Sequence, residues 1–320
     1  MSTRLKVFLG FIVVVSFLSS CKKEPSDPST DEDTFVIYDY SINNLSFVDE
    51  FYWDSTVGDT LKINLLPEAS GLAVSRSNPS FFWTHNDSGH PNWLFPVPAS
   101  GDNYGYIPLS GAGARDWEDI CIGPGPVDGV NYIYVADIGE NQNVHSFIVV
   151  YRVPEPDISN ISTNHGITIN ADDVERFEFT YPDGPVDAES IMIDPWTKDI
   201  YIVTKSGYRS ILYRAKAPQN STQRTELEKL AQFPFNGAVA SDISADGYHI
   251  GIKTFSRIYY WHRETGQSVV DAMKVQPRLL PYILEPQGEA FGWLPDASGY
   301  FTLSEKSGIY PPIIYYYTKN

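Results

Sequence analysis

Short apolar runs rich in Val, Ile, Tyr and Phe alternate with turns rich in Gly, Pro, Asp and Asn along most of this chain. Runs of that kind predict β-strands. One set comprises Phe81 to Asp87, Tyr132 to Asp137, Ile200 to Lys205, Ile250 to Lys253 and Tyr300 to Lys306. A short phrase ending in an apolar residue precedes each of them. The phrases are Glu68-Ala-Ser-Gly-Leu72, Asp116-Trp-Glu-Asp-Ile120, Asp187-Ala-Glu-Ser-Ile191, Val239-Ala-Ser-Asp-Ile243 and Gln287-Gly-Glu-Ala-Phe291. Third strands follow at Phe147 to Val153, Ile211 to Ala215, Ile258 to His262 and Ile313 to Thr318. Fourth strands are expected at Tyr104 to Leu109, Val174 to Tyr181 and Lys229 to Pro234.

Repeats of about 40 to 50 residues with four strands each predict the blades of a β-propeller. The last copy lacks its outer strand. Thr60 to Leu66 alternates suitably to supply it from the other end of the chain, which would remove an exposed edge. The reading is therefore an all-β, five-bladed propeller over residues 59–320, closed by an N-terminal strand. A sixth blade inside the long second copy is the alternative count, and a β-sandwich the alternative all-β fold.

The start of the chain has a different pattern. Arg4 and Lys6 precede an apolar run from Val7 to Leu18, too short to span a bilayer. It ends in Leu18-Ser-Ser-Cys21, the form of a lipoprotein signal: residues 1–20 are expected to be removed and Cys21 to carry lipid. The residue after Cys21 is Lys22, not the aspartate that retains such proteins in the inner membrane, so the outer membrane is the expected location. Residues 21–34 are polar and Pro-rich and read as a tether. Residues 35–58 contain enough aromatic positions to pack on the globule, as an added strand or a cap.

Charge narrows the partners. The chain has 40 acidic and 23 basic residues, a net charge of −17. Loss of the signal would remove two basic residues and no acidic one. That balance argues against nucleic acid and favours cations. A monomer with an unknown protein or small-molecule ligand is expected. With Cys21 lipidated, Cys121 has no partner for a disulfide and reads as a buried small apolar residue.

Acidic residues recur in register. Glu68, Asp116, Asp187, Val239 and Gln287 form one column; Ser70, Glu118, Glu189, Ser241 and Glu289 form another. If both face the central channel, their charges repel. Pairing of Glu189 with Lys205 and of Glu289 with Lys306 is expected, with Lys253 as a third cation. Glu68, Asp87, Asp116, Glu118 and Asp137 then remain uncompensated. An all-oxygen set with excess negative charge suits a hard cation, Ca²⁺ before Mg²⁺.

The phrases Asp116-Trp-Glu-Asp-Ile, Tyr134-Val-Ala-Asp-Ile-Gly-Glu-Asn141 and Tyr151-Arg-Val-Pro-Glu-Pro156, with the Gly-x-Glu-Ala-Phe type repeat, resemble the SdiA-regulated family. The resemblance implies a five-bladed, calcium-binding propeller distantly related to NHL-repeat propellers, with Glu118 and Asp137 in the site. The fourth copy departs, with Val239 and Ser241 where acids stand elsewhere. No nucleophile elbow, P-loop or His-Glu-x-x-His motif occurs. The expected function is a lipid-anchored, extracytoplasmic binding or scaffold module with a channel calcium site. The alternative is a calcium-dependent hydrolase of phosphoesters or lactones.

Overall fold

Five inner strands form a closed ring around the channel: Ala69–Val74, Trp117–Pro124, Ala188–Ile193, Ala238–Ile243 and Gly288–Trp293. Each opens a four-stranded antiparallel blade. The computed structural model describes residues 35–53, 56–160 and 169–320; Cys21, the signal and the tether lie outside them. Among the described residues no helix is long and apolar enough to cross a membrane.

The strand sequences explain the ring. Both faces of an inner strand are covered by neighbouring blades, so these strands carry near-continuous buried residues, unlike half-exposed antiparallel strands. The core is accordingly divided among the blade interfaces. Ala73, Trp83 and Leu94 pack on Ile120 and Ile133 between blades one and two. Tyr134 and Val150 pack on Ile191 and Ile202 between two and three. Met192 and Leu212 meet Ile250 and Trp261 between three and four. Ala240 and Tyr260 meet Phe291 and Trp293 between four and five, and Leu72 and Phe82 meet Leu303 and Ile314 between five and one. Truncating a buried aromatic such as Phe291 to alanine would cost about 3–5 kcal/mol.

The ring is closed by the N-terminal side of the chain, but not by the stretch the alternation suggested. Thr56–Thr60 pairs antiparallel with Ile313–Thr318 as the outer strand of blade five. Of Thr60 to Leu66, only Thr60 belongs to that strand. The next residues straddle two blades: Leu61 N donates to Pro312 O at 3.0 Å and Lys62 N to Gly101 O at 2.8 Å. Leu61 and Ile63 are buried between blades five and one. The alternation is real, yet it seals a seam without forming a ladder.

Residues 35–53 begin with a short added strand, Val36–Ile37. They run along the rim of later blades. Val36–Ile37 adds in parallel to the outer strand Glu228–Gln232 of blade three. Phe47 bridges Leu279 of blade four and Phe51 bridges Lys319 beyond blade five. Tyr38 and Phe51 are buried there.

Candidate metal centre at the channel mouth

The inner strands of blades two to five share one irregularity. Their ladders skip a residue between Trp117 and Asp119, Ala188 and Ser190, Ala238 and Ala240, and Gly288 and Ala290. The skipped residues are Glu118, Glu189, Val239 and Glu289. A bulge leaves its extra residue unpaired and re-aims the side chain. Three glutamates thus come together by four equivalent bulges, not by simple strand alternation. Blade one breaks its ladder between Ser70 and Ala73. Gly71 sits there at φ +67°, where a Cβ would lie 2.8 Å from Ile120 N. The pairing also shifts blade four by two residues relative to the sequence phrases: Val239, not Ser241, occupies the glutamate position.

Carboxylates from loops complete the cluster. Asp87, Asp116 and Glu118 each offer an oxygen within 4.8 Å of one another, as do Glu118, Asp187 and Glu189, and Asp87, Glu289 and Glu305. The groups share Asp87 and Glu118, so seven carboxylates form one connected array around the mouth. Among the described residues, one cation, Lys205, contacts it by pairing with Glu189. Oε2 of Glu189 is buried and has no partner.

The protonation balance follows from this crowding. Burial, reinforced by Asp87, Asp187 and Asp137, raises Asp116 to about 6. Burial pushes Glu118 well above the carboxylate range, with Glu189 and Asp87 adding to it. Glu189 rises to about 8 through burial, against the pull of Lys205. Glu305 rises to about 8 through burial and the charge of Glu289. Protons, or a cation in their place, would relieve this crowding.

The loop after the second strand of blade two builds one wall. Gly139 leaves the space the carboxylates use: a Cβ there would lie 2.0 Å from Glu118 Oε1 and 2.4 Å from Asp116 Cγ. Glu140 N donates to Asp187 Oδ1 at 2.9 Å. The Glu140 carboxylate accepts from Val144 N at 2.8 Å, from His145 N at 2.9 Å and from His145 Nδ1 at 2.7 Å. His145 and Asp116 line a common pocket of about 320 Å³ with Arg115 and Asn141. The donor set, the unpartnered oxygen and the cradle at Gly139 could hold a metal ion.

Four of the residues read from sequence fall elsewhere. Glu68 is exposed at the rim, where His90 Nε2 lies 2.8 Å from its Oε2. Asp137 Oδ1 accepts from Asp116 N at 2.8 Å, and Oδ2 from Arg115 N at 3.4 Å. It is a brace for the bulge, buried opposite Trp117. Lys306 is exposed and makes no pair with Glu289. Blade five ends its strand at Ser304 where blade three ends at Thr204, so Glu305 is the counterpart of Lys205. Lys253 sits one step inside its strand end. It is fully buried, donates to Gly288 O and lies 4.5 Å over the Tyr282 ring. Only the Glu189–Lys205 pair of the expected ion pairs forms. Asp87, Asp116 and Glu118 converge as read. Glu305, Glu140 and His145 were not singled out; counting from the last apolar strand residue would have found Glu305.

No protein-family model matches the chain, and no characterised protein resembles it significantly in sequence. Among solved structures it is similar to one titled Kuenenia stuttgartiensis Hydrazine Synthase, at 15% identity and a TM-score of 0.38, over 74% of this chain and 56% of that one. The chain thus spans about half the length of that structure. At that level the likeness carries no argument, and the propeller assignment rests on the blades themselves.

Proposed function

We propose that this protein is a calcium-class cation-binding propeller, held at the outer membrane by lipid on Cys21, whose metal-bearing mouth serves as a binding module. One observation carries the metal: Asp87, Asp116 and Glu118 meet within 4.8 Å at a mouth whose neighbouring Glu189 Oε2 is buried without a partner. A hard cation there would neutralise charge that burial otherwise keeps protonated. A ligand that binds only the folded state raises the melting temperature. Thermal melts of the wild type in Ca²⁺, in Mg²⁺ and in chelator test this. A rise in Ca²⁺ larger than in Mg²⁺ is expected; identical curves in all three would refute the reading. For the anchor, Cys21→Ser should move the protein to the soluble fraction, and membrane retention would overturn it.

The Glu140–His145 pair favours a second reading, a metal-dependent hydrolase of phosphoesters or lactones. Glu140 holds His145 Nδ1 at the edge of the pocket that Asp116 also lines. Nε2 is then the nitrogen left to take a proton from water. A bound cation would supply the charge that polarises a substrate oxygen. Turnover of an ester and lactone panel that needs Ca²⁺ and is lost in His145→Gln would promote this reading. Absence of turnover with calcium binding intact would leave the binding module.

A further inference from the structure

A second pocket lies away from the carboxylates, and its chemistry is opposite. It has a volume of about 610 Å³ and lies between blades three and four. The loops that shape it, 205–210 and 255–256, follow second strands, as do Asp87 and Glu305. It therefore opens on the face of the channel mouth. Through Ser256 and Arg257 it continues into a third pocket of about 320 Å³ that reaches Phe47 and Trp53.

The lining is unusual for an acidic chain. Its charged side chains are Arg209 and Arg257, and no carboxylate lines either pocket, although the chain has 40 acidic residues. Lys205 adds positive potential, with Nζ 5.5 Å over the Phe255 ring. Aromatic side chains stay exposed, Tyr208 at 89%, Trp53 at 51% and Phe255 at 37%, with the Arg209 guanidinium 5.7 Å over the Tyr208 ring. Asn43 and Asn236 contribute amides between them.

We infer that this groove binds an acidic oligosaccharide, a chain of uronic acid residues. Flat exposed rings offer surfaces for the apolar faces of sugars. Side-chain amides pair with hydroxyls as donor and acceptor together. The planar guanidinium of arginine matches a carboxylate through two parallel hydrogen bonds. The groove's lack of carboxylates separates it from the metal centre. Uronate binding here needs no cation.

The test is calorimetric titration of the lipid-free chain (Cys21→Ser) with tetragalacturonate and tetramannuronate, in chelator. Maltotetraose serves as the neutral control and tetraglutamate as the acidic peptide control. Binding of either uronate is expected, about tenfold or more tighter than maltotetraose. Tyr208→Ala and Arg209→Gln, both at exposed or half-buried positions, should each weaken it about tenfold while circular dichroism stays unchanged. Equal binding of the neutral sugar would overturn the proposal. So would tighter binding of tetraglutamate, unchanged affinity in both variants, binding that appears only with Ca²⁺, or no uronate binding up to about 10 mM.

Discussion

Glu118 and Asp119 are adjacent in one strand of one channel, yet their surroundings differ completely. Asp119 is fully buried, and both its oxygens accept backbone N–H groups: Ile120 at 2.9 Å, Ile191 at 2.9 Å and Ser241 at 3.3 Å. It ties blade two to blades three and four. Asp242 does part of the same work, its Oδ2 accepting from Trp293 N at 2.9 Å and linking blade four to blade five, while its Oδ1 is buried without a partner among the described residues. Glu118, one residue earlier, faces Asp87, Asp116, Asp187 and Glu189. Residue type and burial therefore do not separate a structural acid from a ligand. What separates them is whether the fold supplies donors: deeper in the channel it supplies peptide N–H groups, and at the mouth it supplies more carboxylates.

Removing a lower carboxylate should have the largest effect. Asp119→Ala strands the N–H groups of Ile191 and Ser241 in the core, at a cost on the order of 4 kcal/mol. The increment in melting temperature from Ca²⁺ should survive in whatever fraction folds. Loss of that increment together with stability would erase the distinction between the two regions.

Next is Glu118→Gln. In chelator it should melt at or slightly above the wild type, since it removes a crowded acid. In Ca²⁺ at about a hundred times the dissociation constant, it should forgo most of about 2.7 kcal/mol. A melt in both media separates this from a folding defect.

The pH dependence sharpens the same contrast. Asp116 and Glu189 titrate at about 6 and 8 in the fold, above their ordinary values. The native state then binds more protons than the unfolded chain between roughly pH 4 and 8. Their protonated forms support stability fully below the ordinary carboxylate range, and that support is lost as pH rises through 6 and 8. In chelator, denaturant midpoints should therefore fall from pH 5 to pH 8. Added Ca²⁺ should help most at pH 8, where its competitors, the protons, have left. A midpoint that rises over this range in chelator would mean the mouth carboxylates already have donors.

The smallest effect is expected at the compensated edge. Glu189→Gln removes the partner of Lys205, whose side chain is 29% exposed, so the cost should be about 1 kcal/mol. Part of the calcium increment should go with it, less than in Glu118→Gln, as measured by the same melts.

The fold was legible because strand periodicity and turn chemistry agree along most of the chain, although Trp93–Pro98 of blade one and Arg278–Leu280 of blade four were not read as strands. Ile211 to Ala215 and Ile313 to Thr318 match residue for residue. The site was legible in part. Asp87, Asp116 and Glu118 stand at strand ends that the repeat marks. The bulges that turn Glu118, Glu189 and Glu289 inward leave no trace in a two-residue alternation. Ending the second strands at Asp137, Lys205 and Lys306 put Lys306 where Glu305 stands and placed Asp137 among the ligands, although it braces the bulge. His145 and Glu140 become a pair through a loop whose course the sequence pattern does not encode.

The central claim is that the mouth, unlike the channel below it, is completed by a cation. Calorimetric titration of CaCl₂ into the chelator-stripped wild type and Glu118→Gln at pH 8 tests it most directly. The expected result is saturable binding in the wild type and at least a tenfold loss in Glu118→Gln. Absence of saturable binding in the wild type, or equal binding in both proteins, would contradict it.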